Sequence, residues 1–246
     1  MTVMLDTELP FMATIGIDNA LSITVSDEDG NPLEADNGTL KVYDGSELLE
    51  EPTVTVSATE QTATLAAAKT DGRGTSTRLI LAWSLEIAGV TKPYVQSGYL
   101  VNNQLYPVLT DKMLTDRLPH LSAILGNVQS VPEQPNTLKD WRISVWNELQ
   151  RWLIKKGKRL DLALDQWAFI DIHRYWTLES IAAYLHTSTG DIDWLGKRDD
   201  FRMLRIQEQE TLSLRFDRDS DGKAGEDEKE AAQGSVWLNA PNTGAF

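Results

Sequence analysis

The chain has no cysteine in its 246 residues. That excludes disulfides, a thiolate nucleophile and a zinc site built on sulfur, so packing alone must hold the fold. Cationic side chains are also scarce: 23 lysines and arginines face 37 aspartates and glutamates, for a formal net charge of −14. So acidic a molecule repels phosphate backbones as a whole, which argues against a nonspecific nucleic-acid coat but allows a local basic patch. No apolar run approaches the ~20 residues of a membrane helix. The opening, MTVMLDTELPFM, lacks the basic stretch followed by an apolar run that a secretion signal carries. The expectation is a soluble protein made in a cytoplasm, with no membrane partner. Only three histidines occur, His120, His173 and His186. None has a second ligand at zinc spacing, and structural roles are expected for all three. There is no P-loop, no G-x-S-x-G and no G-x-G-x-x-G. Nothing requires a general acid and base, and no enzymatic activity is expected.

What is present divides along the chain. Residues 1–107 carry 5 basic and 15 acidic groups, residues 108–216 carry 15 of each, and residues 217–246 carry 3 and 7. The first part reads as strands. Leu21, Ile23 and Val25 alternate with polar residues, as do Leu40 and Val42 before the turn signal Asp44-Gly45. STRLILAWSLEIAGV and YVQSGYLV are longer strand candidates, and the GRG at 72–74 is expected to be a hairpin turn. Short strands with turn chemistry at such intervals predict an antiparallel sandwich over 1–107.

The second part reads as helices. Thr137 is an expected N-cap, with Asp140 three residues on to complete a capping box. Leu138, Trp141, Val145, Leu149, Trp152 and Leu153 then recur at helical spacing, Lys155 and Lys156 fall near the end, and Gly157 marks the stop. DQWAFIDIHRYWTLESIAAYLH is a second helical run, with a break expected near Thr177. DIDWLGKRDDFRMLRIQEQETLSLRF is a third, and TDKMLTDRL a shorter helix opened by Thr110. The fold class expected is α+β in two domains: a sandwich over 1–107, a helical bundle over 108–216, and an acidic loop with an extended arm over 217–246.

The stretch DRDSDGKAGEDE at 217–228 has the spacing of an EF-hand loop. Asp217, Asp219 and Asp221 would ligate through carboxylates, Lys223 through its main-chain carbonyl and Glu228 bidentately, with Gly222 making the turn. The ion implied is Ca²⁺, and its expected role is to neutralise packed carboxylates and fix the exit of the tail. Against this, Ala224 stands where a larger aliphatic normally packs against a paired loop, and no second loop exists. The plainer reading is a solvated acidic turn.

Of the eight tryptophans, Trp141 and Trp152 fall on the apolar stripe of their helix, whereas Trp146 is read as lying off it, as an exposed anchor for another subunit. KKGKR at 155–159 is the one dense basic run. It is either a solvated helix end or a patch facing something acidic, whether the net-negative first domain of a neighbouring copy or DNA passing nearby.

The run NNQLYPVLTDKMLTDRLPHL, a proline-bearing loop, and then DWRISVWNELQRWLIKKGKRLDLALDQWAFIDIHRYWTLESIAAYL resembles the head–tail connector (adaptor, or head-completion) proteins of tailed bacteriophages. The shared element reads LTDRLPHL, from Leu114 to Leu121, and the likeness extends over about 100–225, including the aspartate-rich stretch. The first hundred residues lie outside that pattern and look like an added immunoglobulin-like sandwich. The resemblance implies a structural virion protein of the neck, assembled in the host cytoplasm. Such a protein forms a ring, commonly a dodecamer, between the portal protein and the stopper or tail, and extends the DNA channel. It also implies a C-terminal arm, QGSVWLNAPNTGAF, that orders on the portal with Trp237, Leu238 and Phe246 as anchors. The competing reading from the residues is a calcium-dependent module whose sandwich binds sugar or protein.

Overall fold

Alternation of apolar and polar side chains in the first hundred residues produces strands whose inward residues form one buried cluster. The computed structural model describes residues 4–5, 9–27, 31–57, 60–75, 77–128, 135–163, 165–212 and 214. Among them are strands β1 (Met4–Leu5), β2 (Phe11–Thr14), β3 (Asn19–Ile23), β4 (Val25–Ser26), β5 (Asn37–Asp44), β6 (Glu47–Glu50), β7 (Thr55–Val56), β8 (Gln61–Leu65), β9 (Arg78–Ile87) and β10 (Val90–Val101). The helices are α1 (Ala67–Thr70), α2 (Asp111–Thr115), α3 (Leu121–Gly126), α4 (Leu138–Lys155), α5 (Ile170–Thr189) and α6 (Ile192–Thr211), with single 3₁₀ turns at Leu160–Leu162 and Gln166–Phe169. The class is therefore α+β, with sheets towards the N-terminus and helices after them.

The strands form a five-stranded sheet in the order β2-β10-β9-β5-β6, a three-stranded sheet β3-β8-β7 and the pair β1-β4. Leu79, Leu81, Trp83 and Leu85 on β9, Leu40 and Val42 on β5, and Leu21 and Leu65 from the other sheet all belong to the same buried cluster. The expectation of a purely antiparallel arrangement is corrected at one edge, where β2 runs parallel to β10, Phe11 opposite Gly98 through Thr14 opposite Val101. No hairpin joins these two strands, so no turn forces them antiparallel. Gly98 makes the pairing possible, since a Cβ there would collide with the Phe11 carbonyl oxygen. The hairpin of β9 and β10 turns on Ala88 (φ 52°) and Gly89 (φ 73°), the left-handed pair a two-residue type I′ turn requires. The GRG at 72–74 is not a hairpin turn. It follows α1 and carries the chain from β8 in one sheet to β9 in the other, and Arg73 there pairs with Asp44 and Glu47.

The described residues divide into two compact units, one from 1–107 and 143–163, the other from 108–142 and 165–214. The sequence predicts boundaries at 107/108 and 216/217; among the described residues the units change at 107/108, 142/143 and 164/165. In the second unit, Leu109, Leu114, Leu121, Leu138, Trp141, Leu178, Ile181, Leu185 and Trp194 share one buried cluster.

Local signals set the helix ends. The Thr137 hydroxyl accepts from the Asp140 amide at 3.2 Å, and the Asp140 carboxylate accepts from the Thr137 amide at 3.1 Å and hydroxyl at 2.7 Å. Those bonds, the hydroxyl's first, hold the Asp140 carboxyl below its usual range. At the other end of α4, Gly157 (φ 73°) donates to the Ile154 carbonyl and Lys158 to the Leu153 carbonyl, a Schellman close. The break expected at Thr177 does not occur. α5 runs unbroken, because the Thr177 hydroxyl donates to the His173 carbonyl one turn back, at 2.7 Å. Gly190 (φ 72°) ends α5, and Asp191 caps α6 through the Asp193 amide.

Candidate functional site

The expected calcium ligands Asp217, Asp219, Asp221, Lys223 and Glu228 lie outside the described residues, as do the arm anchors Trp237, Leu238 and Phe246. Among the described residues no group of three or more histidine, aspartate or glutamate side chains could hold a metal ion, and no helix is long and apolar enough to cross a membrane.

Trp146 is described, and its expected exposure is corrected: it is only 4% exposed. At about 100° of arc per residue, Trp146 projects ~20° from Leu153, so it forms the margin of a wide apolar stripe. Among the described residues the exposed tryptophan is Trp167, at 57%. It stands on the 3₁₀ turn before α5, where the Asp165 carboxylate accepts from its amide at 2.8 Å. The signal that could have found it is this short Asp-capped turn, which directs its second residue outward.

His173 behaves as a structural residue of the second unit. It is buried, its Nε2 lies 2.8 Å from the Arg142 carbonyl, and burial lowers its pKa to about 4. The neutral ring therefore donates from Nε2 at physiological pH. Arg142 is engaged as well, donating to the Leu109 carbonyl and pairing with Asp111 at 2.7 Å. In the LTDRLPHL element, Arg117 donates to the Tyr175 hydroxyl at 3.1 Å while Leu114 and Leu121 fill the core. Each of these groups is used in holding the unit together.

The second unit presents one apolar surface. On α6, Ile192 (67% exposed), Met203 (68%) and Ile206 stand out from the helix. With about 100° and 1.5 Å per residue, the three fall within ~60° of arc, with Met203 and Ile206 adjoining, Ile192 about 16 Å away along the helix, and the exposed Asp199 and Glu210 within the same arc. The opposite side of α6 is tied to α5 by Arg205, which donates from Nε to the Glu179 carboxylate at 2.6 Å and lies over the Trp176 ring at 4.9 Å.

The first unit holds a cleft of about 360 Å³, walled by Pro10, Met12, Tyr99, Ile154, Arg159 and Leu160. Strand register places Met12 beside Tyr99. The left-handed Gly157 reverses the chain after α4 and delivers Lys158, Arg159 and the 3₁₀ turn to the same place. Asp161 in that turn is buried and clamps Arg159: Nε donates to Oδ1 at 2.9 Å and Nη2 to Oδ2 at 2.6 Å. The guanidinium carbon sits 5.9 Å from the centre of the Tyr99 ring. The bonds from Asp161 raise the Arg159 pKa further, so its charge is permanent.

No protein-family model matches the chain, and no curated protein matches it. Among solved structures, the titin Ig tandem domains A164-A165 are similar at 13% identity with a TM-score of 0.25, over 41% of this chain and 49% of that one. The chain thus spans about half the length of that solved chain.

Proposed function

We propose that the chain is a head–tail adaptor, a structural protein of the virion neck that forms a ring on the portal protein and carries the stopper or tail. The observation that carries this reading is the exposed pair Met203 and Ile206 on α6, with Ile192 further along the same side, in a stretch where 15 positive and 15 negative side chains balance. An adjoining apolar pair with acidic Asp199 and Glu210 beside it suits contact with another copy of the chain, and a cyclic ring needs two different patches per subunit. Trp167 supplies a second exposed anchor on the same unit. His173, Thr177 and Arg142 in that unit are bonded within its fold, which favours a role in assembly over a reaction. We read the first unit as an immunoglobulin-like sandwich added to the adaptor, because two sheets share one buried cluster. Co-sedimentation with the portal protein encoded in the same genome tests the proposal. Joint migration is expected; a chain that ignores the portal and turns over a substrate overturns it.

The spacing of 217–228 favours a second reading, a calcium-dependent binding module. It predicts a higher melting temperature in calcium that is lost in Asp217→Ala/Glu228→Ala. Equal melting temperatures with calcium and with chelator count against it.

A further inference from the structure

The basic run at 155–159 has a structural setting that a solvated helix end does not require. Only Lys155 belongs to the last turn of α4, where a cation complements the helix dipole. Lys156, Lys158 and Arg159 follow the helix; Lys158 and Arg159 line the cleft, and Lys155 and Lys156 stand exposed just before them in the chain. Arg159 is not left to solvent. A carboxylate 4% exposed holds a guanidinium 54% exposed, so a buried residue orients an accessible one. A guanidinium offers two bidentate edges. Asp161 occupies the Nε–Nη2 edge, and the Nη1–Nη2 edge carries no partner among the described residues. Beside that edge lie the Tyr99 ring and the apolar wall of Met12, Ile154 and Leu160.

We infer that this cleft binds an acidic peptide segment of a partner protein, with one carboxylate on Arg159 and a neighbouring apolar side chain against Tyr99 and Ile154. Lys155, Lys156 and Lys158 steer the segment in. The cleft volume lies near the lower end of ligand pockets, about 300–1,000 Å³, which suits one or two side chains and not an extended polymer. Charge favours a peptide over nucleic acid. A duplex brings one charge per ~1.7 Å and would have to run along a chain of net charge −14, whereas a short peptide confines its charge to the basic corner. The inference does not depend on ring assembly, since every residue it uses lies in the first unit.

The test is titration of the full chain, at low ionic strength, with a fluorescent hexapeptide of alternating glutamate and leucine, and separately with a short duplex DNA. Saturable peptide binding is expected, weakened severalfold in Lys155→Gln/Lys156→Gln. Arg159→Met/Asp161→Leu removes both members of this pair, so neither is left as a buried charge facing the other's absence. Its melting temperature is expected to stay near that of the wild type while affinity falls by about ten-fold or more, the order for losing a charge-assisted pair. No saturable peptide binding, binding unchanged in both variants, or tighter binding to the duplex overturns the inference. Should the Arg159/Asp161 variant fail to fold, the lysine variant decides: unchanged affinity there is likewise fatal.

Discussion

Both units bury polar side chains, but the strand unit uses them to fix loops and the helical unit uses them within and between its helices. In the strand unit leucines from β3, β5, β8 and β9 close around Trp83, and the buried polar side chains Asn19, Thr70 and Asp161 bond to loop and turn groups, Thr14 and Ile17, Gly16, and Arg159. In the helical unit polar groups enter the interior and are bonded there. His173 binds the Arg142 carbonyl, Thr177 binds the His173 carbonyl, and Arg205 is clamped to Glu179. An apolar sheet core stabilises without discriminating finely between packings, whereas directional bonds inside a bundle fix helix rotation and register. Fixed rotation keeps particular side chains outward, as on α6, where Met203 and Ile206 stand exposed.

This contrast sets expected effects of different size. The largest is Trp83→Ala, which leaves a cavity between Leu40 and Tyr94 and should cost about 3–5 kcal/mol. Hydrogen exchange should then show the loss of protection concentrated in β5, β9 and β10. A loss spread evenly over α5 and α6 as well would erase the distinction drawn here.

Acid should act on the helical unit through His173. Its pKa is lowered from the usual 6.5 to about 4 in the fold, so between those values the unfolded chain binds the extra proton. Stability therefore falls as pH drops from 6.5 towards 4. At about 1.4 kcal/mol per unit the loss from this one group is on the order of 3 kcal/mol. Urea titrations of α-helical signal at several pH values read this slope, and His173→Gln, which keeps a donor for the Arg142 carbonyl, should flatten it. An unchanged slope would mean the ring is not the buried, neutral donor described.

A smaller loss is expected from Thr137→Ala, about 1 kcal/mol for an N-cap, seen as a lower melting temperature with fraying confined to the start of α4. Smallest of all is the effect on stability of Met203→Asp/Ile206→Asp, within about 0.5 kcal/mol, because both side chains already face water.

The features legible in the sequence were those whose cause lies within a few residues. Thr137 with Asp140, Gly157 after Lys155, and the turn at Asp44-Gly45 needed no knowledge of the rest of the chain, nor did the alternation in β9. What escaped depended on distant partners. Nothing near Phe11 says that it will lie parallel to β10, and Gly98 has a reason only once β2 is beside it. Trp146 was misjudged because a narrow stripe was assumed, and Thr177 because a β-branched residue read as a break when its hydroxyl bonds back into the helix. The cleft was half legible: KKGKR stood out, but Asp161, Tyr99 and Met12 come together only through the reversal at Gly157 and the register of β2 on β10. The acidic loop 217–228 and the arm anchors lie outside the described residues, and their roles rest on sequence spacing alone.

The central claim is that the exposed face of α6 exists to meet another copy of the chain. Native mass spectrometry of the chain mixed with the portal protein of its genome, wild type beside Met203→Asp/Ile206→Asp, tests it most directly. The account predicts a closed ring of the wild-type chain on the portal and no ring with the equally well folded variant. A variant that assembles as the wild type does, or a wild-type chain that never joins the portal, would contradict it.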